Sequence, residues 1–233
     1  MPTVVGVGAS VNGTGDITPP YPGGYTAVAD DIAIDIVETE SEIPAPPTNW
    51  AQVTTINVAS GTVTRLTALW RRLTAAEAAP AITTTANHKI GRMIVVRGCR
   101  TAGNPYEAAP ATTELVSDTT VSIPGTTTTV ADCLMLYAFG TGQDVLSSAG
   151  ATAWADASLA NVTERMDDWT TTGLGGGFAM ATGEKAVAGA TGAMTATLSL
   201  AANFKTLMCV SLVGQASAVF TANPRRRGPK FRR

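Results

Sequence analysis

Asp31-Ile32-Ala33-Ile34-Asp35-Ile36-Val37 decides the fold class. Isoleucines alternate with small or polar residues, the period-two pattern of a half-buried β-strand. Three further runs of strand length resemble it: Arg92-Met93-Ile94-Val95-Val96-Arg97-Gly98, Asp132-Cys133-Leu134-Met135-Leu136-Tyr137-Ala138-Phe139, and Leu207-Met208-Cys209-Val210-Ser211-Leu212-Val213-Gly214. All are rich in β-branched, aromatic or long apolar residues and lie near Gly or polar turns. They predict the inner strands of an all-β protein, an antiparallel two-sheet β-sandwich with jelly-roll connectivity as one option.

The intervening segments fit that frame. Residues 1–29 hold Gly13, Gly15, Pro19, Pro20, Pro22, Gly23 and Gly24, which predict an irregular N-terminal arm with a short edge strand at Val4–Val7. Glu38, Glu40, Glu42 and Pro44-Ala45-Pro46-Pro47 predict an exposed acidic loop. Strands are expected at Trp50–Val58 and Val63–Leu73, and a single helical turn at most before Pro80. One strand is expected within Thr112–Ile123 and one at Trp154–Met166, followed by a long turn from Asp167 to Gly177. Strands at Phe178–Val187 and Ala193–Leu200 and a short edge at Ala216–Phe220 complete the set. No linker interrupts residues 30–222, which read as one sandwich domain, followed by a basic tail at 223–233.

The two halves echo each other. Ala-Asp and an apolar strand, then Asn49-Trp50 or Ala153-Trp154, then two or three more strands, occur in the same order about a hundred residues apart. Either a duplication or two independent solutions of one packing problem produces this.

Hydrophobic residues make up 45% and charged residues 15% of the 233, so the surface must be largely Thr, Ser and Ala. That suits packing among copies or partners, and equally a stable extracellular β-domain. Three cysteines cannot form a complete disulfide framework, and Cys99, Cys133 and Cys209 are expected as buried thiols. No leader pattern opens the chain and no apolar run is long enough for a membrane helix, so no membrane partner is expected.

Charge is concentrated at one end. Arg225, Arg226, Arg227, Lys230, Arg232 and Arg233 place six of the 16 basic groups in nine residues without an acid. The other ten face 18 acids, so the remaining 224 residues carry a net charge of −8. Gly228 and Pro229 break any continuous helix, so the tail is expected to bind extended, to an acidic groove on a protein or to nucleic acid phosphates. A solubilising tail is the plainer alternative.

Catalytic chemistry finds little support. The single histidine, His88, is expected in a solvated turn; no Cys-His, Ser-His-Asp or metal-ligand cluster surrounds it. Gly6-Val7-Gly8 and Gly175-Gly176-Gly177 lack the residues of a phosphate loop. Asp30-Asp31 and Asp167-Asp168 lack a calcium-loop spacing. Trp50, Trp70, Trp154 and Trp169 could line a sugar cleft, with Trp50, Trp154, Asp167, Asp168 and Trp169 as a candidate surface-binding group, although core or interface tryptophans are the plainer reading. No enzyme activity and no cofactor are expected.

Several segments together resemble small β-rich structural proteins of tailed bacteriophages and prophages. They are Asn49-Trp50-Ala51-Gln52, Thr64-Arg65-Leu66-Thr67-Ala68-Leu69-Trp70-Arg71-Arg72, Thr74-Ala75-Ala76-Glu77-Ala78-Ala79-Pro80, Ile94-Val95-Val96-Arg97-Gly98-Cys99 and Gly103-Asn104-Pro105-Tyr106. In the second half they are Asn161-Val162-Thr163-Glu164-Arg165 and Gly175-Gly176-Gly177 before Ala181-Thr182-Gly183-Glu184-Lys185. The resemblance implies a virion protein of the head, neck or tail, present in many copies and contacting other virion proteins. A receptor- or carbohydrate-binding module on the virion surface is the alternative. The arginine-rich end is not part of the resemblance.

Overall fold

The computed structural model describes residues 1–59, 63–74, 77–143, 150–202 and 204–215. The strands are β1 (Thr3–Val7), β2 (Val11–Gly13), β3 (Ile32–Thr39), β4 (Ala51–Val58), β5 (Thr64–Arg72), β6 (Lys89–Arg97), β7 (Ala111–Glu114) and β8 (Asp118–Ile123). They continue with β9 (Thr127–Thr128), β10 (Cys133–Thr141), β11 (Ala151–Ala155), β12 (Ala160–Thr170), β13 (Gly176–Lys185), β14 (Gly189–Ala190), β15 (Met194–Ala202) and β16 (Lys205–Val213). Every pairing between them is antiparallel. No helix among the described residues is long and apolar enough to cross a membrane.

The first half forms a sheet in the order β1-β6-β3-β5-β4, with β2 also on β6; the second half forms β7-β16-β10-β13-β12. Counted along the chain, both orders are the same: first, fifth, second, fourth, third. The echo in the sequence is therefore an echo in topology. Inward-facing residues align the halves: Ile32, Ile34 and Ile36 of β3 share one core with Leu134, Leu136 and Ala138 of β10. On that alignment Asp30 corresponds to Asp132. Both have positive φ, 69° and 58°, and both donate a backbone N–H to the first residue beyond the neighbouring strand, Leu73 or Ala186. A left-handed Asp, tolerated because its short side chain can bond locally, turns the chain into each central strand.

The sheets face each other with the apolar residues of β3, β5 and β6 against those of β10, β13 and β16. Cys99 bridges Gly214, and the Gln215 N–H donates to the Gly98 carbonyl at 2.9 Å. On the other side of the same bridge the Arg100 N–H donates to the Val213 carbonyl at 3.0 Å, so these two bonds close one antiparallel bridge that joins the halves just beyond β6 and β16.

Both outer faces are covered as well. On the second sheet, Cys133, Met135, Tyr137, Phe139 and Cys209 pack against Val121, Ile123, Met194, Ala196 and Leu198 of a third sheet, β11-β15-β8. On the first sheet, Ala33, Val37, Leu69, Met93 and Val95 lie under Ile17, Trp50, Leu73 and Ile82, which come from connecting segments. An isolated bridge between Ile17 and Ile82 holds that cover together. Strands β3, β10 and β16 are consequently buried along their whole length. The half-buried pattern expected for residues 32–37 fails for this reason: Ala33 and Asp35 face an apolar cover.

Three other expectations change. Thr112–Ile123 is two strands in different sheets, because the chain folds around the buried Lys205 ammonium. Glu114 before the turn and Asp118 after it hold that ammonium at 3.2 and 2.8 Å. The segment Trp154–Met166 also splits, into β11 of the third sheet and β12 of the second. The long turn expected from Asp167 shrinks, since β12 continues to Thr170 against Gly176–Phe178 of β13. Cys99, Cys133 and Cys209 are buried free thiols.

Candidate functional site

An edge strand of the first sheet, β4, combines properties found in none of the other long edges. Its residues, Ala51-Gln52-Val53-Thr54-Thr55-Ile56-Asn57-Val58, include no charge and no proline. On its inner side it pairs with β5, with one irregularity between Gln52 and Thr54. Val53 and Ile56 pack on the central core. On the other face, Thr55 and Thr67 share a hydroxyl hydrogen bond of 2.9 Å. Ala51 and Gln52 are exposed. The corresponding strand of the other half, β12, carries Glu164, Arg165, Asp167 and Asp168 and two irregularities. Charge and bulges blunt an edge against further pairing; β4 lacks the first device and has one instance of the second.

A groove of about 580 Å³ opens where β4 begins, lined by Asn49, Trp50, Ala51, Trp70, Arg71, Arg72 and Thr74. The turn before the strand makes it. The Trp50 N–H donates to the Pro47 carbonyl at 2.9 Å, and Asn49 takes a left-handed φ of 66°. That reversal lays the Trp50 indole over the loop-covered core. Trp70, on β5, meets Tyr106 edge to face at 6.4 Å. Arg72 donates to the carbonyls of Arg100 and Gly103, and its nearest carboxylate, Asp30, is 3.7 Å away. Arg71 is paired with Glu77. This end of the edge is aromatic, with each of its two arginines matched by a carboxylate.

The opposite end is acidic. Glu42 lies beside Arg65, which pairs in register with Asn57 of β4, and the Glu40 carboxylate accepts from the Asn87 N–H at 3.4 Å. Arg65 itself donates to the Ser41 carbonyl and to Thr55. Beneath them lies a buried pair. Nε2 of His88 sits 3.1 Å from Glu38, and the Thr64 hydroxyl donates to the same carboxylate at 2.8 Å. Burial raises the Glu38 pKa, opposed by His88 and Thr64. His88 is 1% exposed, not the solvated turn residue expected, because the start of β13 closes over it. A Cβ on Gly176 would stand 2.8 Å from its Nε2. So enclosed, the pair lies beneath the start of β13, shut off from solvent.

The expected surface-binding group is dispersed. Trp50 lines the groove on the first sheet. Trp154 and Trp169 both flank Phe139 of β10, at 5.8 and 6.2 Å. Alternation along β12 sends Asp167 and Asp168 to opposite faces. Asp167 accepts from the Ala151 N–H and from the Trp169 indole, and burial pushes its pKa up to about 6. Asp168 takes a two-point contact from Arg92 at 3.0 and 3.1 Å, tying the two large sheets together. Arg225, Arg226, Arg227, Lys230, Arg232 and Arg233 lie outside the described residues, as does the edge expected at 216–220. Among the described residues no group of three His, Cys, Asp or Glu could hold a metal ion.

The sequence reads Trp50–Val58 as a strand but does not show that it ends its sheet. The available signal was eight residues without charge between an acidic loop and an arginine pair. Comparison with known proteins returns no match to a family model, to a curated protein or to a solved structure.

Proposed function

We propose that this chain is a non-enzymatic structural protein of a tailed-bacteriophage particle, built into head, neck or tail through contacts between subunits. The observation that supports it best is the doubled sheet. Two sheets of six and five strands, sharing one order along their five-strand paths, clamp one core, and three strands are buried on both faces. This construction favours a rigid block whose edges meet neighbours. The finer architecture in this proposal is a β-sandwich carrying an extra sheet. Each half fills its own sheet, which speaks against the jelly-roll option.

Mass spectrometry and immunogold labelling of purified particles from a host carrying the gene test the proposal. Stoichiometric amounts at one repeated station are expected, and particles lacking the protein would overturn it. The second reading, a glycan- or receptor-binding module, is favoured by one feature, the Trp50–Trp70 groove with its arginines. Binding on a glycan panel that disappears in Trp70→Ala would move the assignment there.

A further inference from the structure

Among the described residues the sheet edge at β4 has no partner strand, and the chain beyond Gln215 has the chemistry to supply one. We infer that residues 216–223 of a neighbouring copy add a strand along β4, with the basic run 225–233 continuing onto Glu40 and Glu42. This rests on the proposed role in an assembly of copies.

Three observations carry it. First, β4 ends the sheet order, and among the described residues no backbone hydrogen bond reaches Ala51–Val58 from outside that sheet. An uncharged edge of eight residues offers a row of donors and acceptors to an extended peptide. Second, the chain beyond the described residues has matching length and chemistry. Ala216-Ser217-Ala218-Val219-Phe220-Thr221-Ala222-Asn223 is also eight residues without charge, contains the strand formers Val219, Phe220 and Thr221, and stops at Pro224. At about 3.3 Å per residue it spans roughly 26 Å, the length of β4.

Third, charge selects a direction. The Val58 end of the edge has Glu42 beside Arg65, whose guanidinium already bonds the Ser41 carbonyl and Thr55, and Glu40 farther along at the Asn87 N–H. The Ala51 end has Arg71 and Arg72, matched by Glu77 and Asp30. Six cations following the added strand meet a net negative charge at the first end and a balanced one at the second. The strand therefore runs parallel to β4, with main-chain hydrogen bonds giving affinity and the basic run fixing register. The donor leaves its own sandwich at Gln215, which is held by the Gly98 carbonyl. That is the Ala51 end of the molecule, where Arg72 reaches the Arg100 carbonyl.

The test uses the full chain, a chain ending at Gln215, and a synthetic peptide of residues 215–233. Sedimentation should give a mass of several copies for the full chain and of one copy for the shortened chain. Adding the peptide to the shortened chain at ten times its Kd should slow amide exchange in residues 51–58 about tenfold. Raising salt should weaken that protection, as should Glu40→Gln with Glu42→Gln. Gln52→Lys, at an exposed position, should return the full chain to one copy with the unfolding midpoint of the chain ending at Gln215. Multiple copies persisting without residues 216–233 would overturn the docking while leaving assembly intact. A full chain that sediments as one copy would overturn the exchange between copies and self-assembly with it. Exchange in 51–58 unaffected by the peptide would overturn β4 as the acceptor.

Discussion

Asp35→Asn should abolish a pH dependence of stability that Asp35 imposes. Asp35 lies in the middle of β3, facing the loop-covered side of the first sheet, and is fully buried. Leu69 and Met93 are its neighbours across the strands. Neither carboxyl oxygen has a hydrogen-bond partner among the described residues. Burial raises its pKa well above the ordinary carboxylate value. The sign follows from linkage. Below about pH 4 the carboxyl is protonated in both folded and unfolded chains. Above it the unfolded chain releases the proton near pH 3.9 while the folded chain keeps it. Its proton-linked stability, complete at low pH, therefore falls as pH rises towards the folded pKa, by about 1.4 kcal/mol per pH unit for one proton. An amide does not titrate. Urea unfolding at pH 4.5, 5.5 and 6.5 should show Asp35→Asn gaining roughly 2–3 kcal/mol on the parent across that range. The other raised carboxylates, Glu38 and Asp167, are present in both proteins and cancel in the difference. A constant offset, from an amide as poorly bonded as the acid, does not affect the slope. A stability difference that stays flat across this range would refute the reasoning, because Asp35 would then be ionised in the folded state.

Gly176→Ala should cost at least 1–3 kcal/mol, measured as a fall in urea midpoint. The residue has φ +142° and the added Cβ would meet His88 and Glu38 below 3 Å. Lys205→Met should destabilise by about 1–3 kcal/mol, discounted from a fully buried pair because Glu114 and Asp118 are partly exposed. It should also open the 115–117 turn to protease at Leu115, seen as a new cleavage product. A thiol reagent at neutral pH should find no reactive cysteine in the native protein and three in guanidinium. Burial pushes Cys99 and Cys209 up to about 12 and Cys133 to about 11.

Sequence alone determined that the protein is all-β, because four runs of seven or eight residues combine strand length with strand-forming side chains. It also located the echo between halves, since Asp30-Asp31 and Asp132 each precede an apolar strand; that Asp30 is the counterpart of Asp132 came from the strand register. These properties are local, written in residues a few positions apart. What covers each face of a strand is not local. The pattern of residues 32–37 predicts one wet face, with Asp35 on it. Only the tertiary structure brings Ile17, Trp50 and Ile82 over that face and turns Asp35 from a surface acid into a buried one. Its counterpart in the other half, Tyr137, lies under the third sheet and reaches Thr191 with its hydroxyl at 2.8 Å. The same limit applied to the candidate site. Trp154, Asp167 and Trp169 are close in space as well as in sequence, but alternation along β12 removes Asp168 to the opposite face and into an ion pair with Arg92. The open edge at β4 was invisible for a related reason. A strand's sequence shows which residues it offers, whereas its place at the end of a sheet depends on every other strand having found its partner elsewhere.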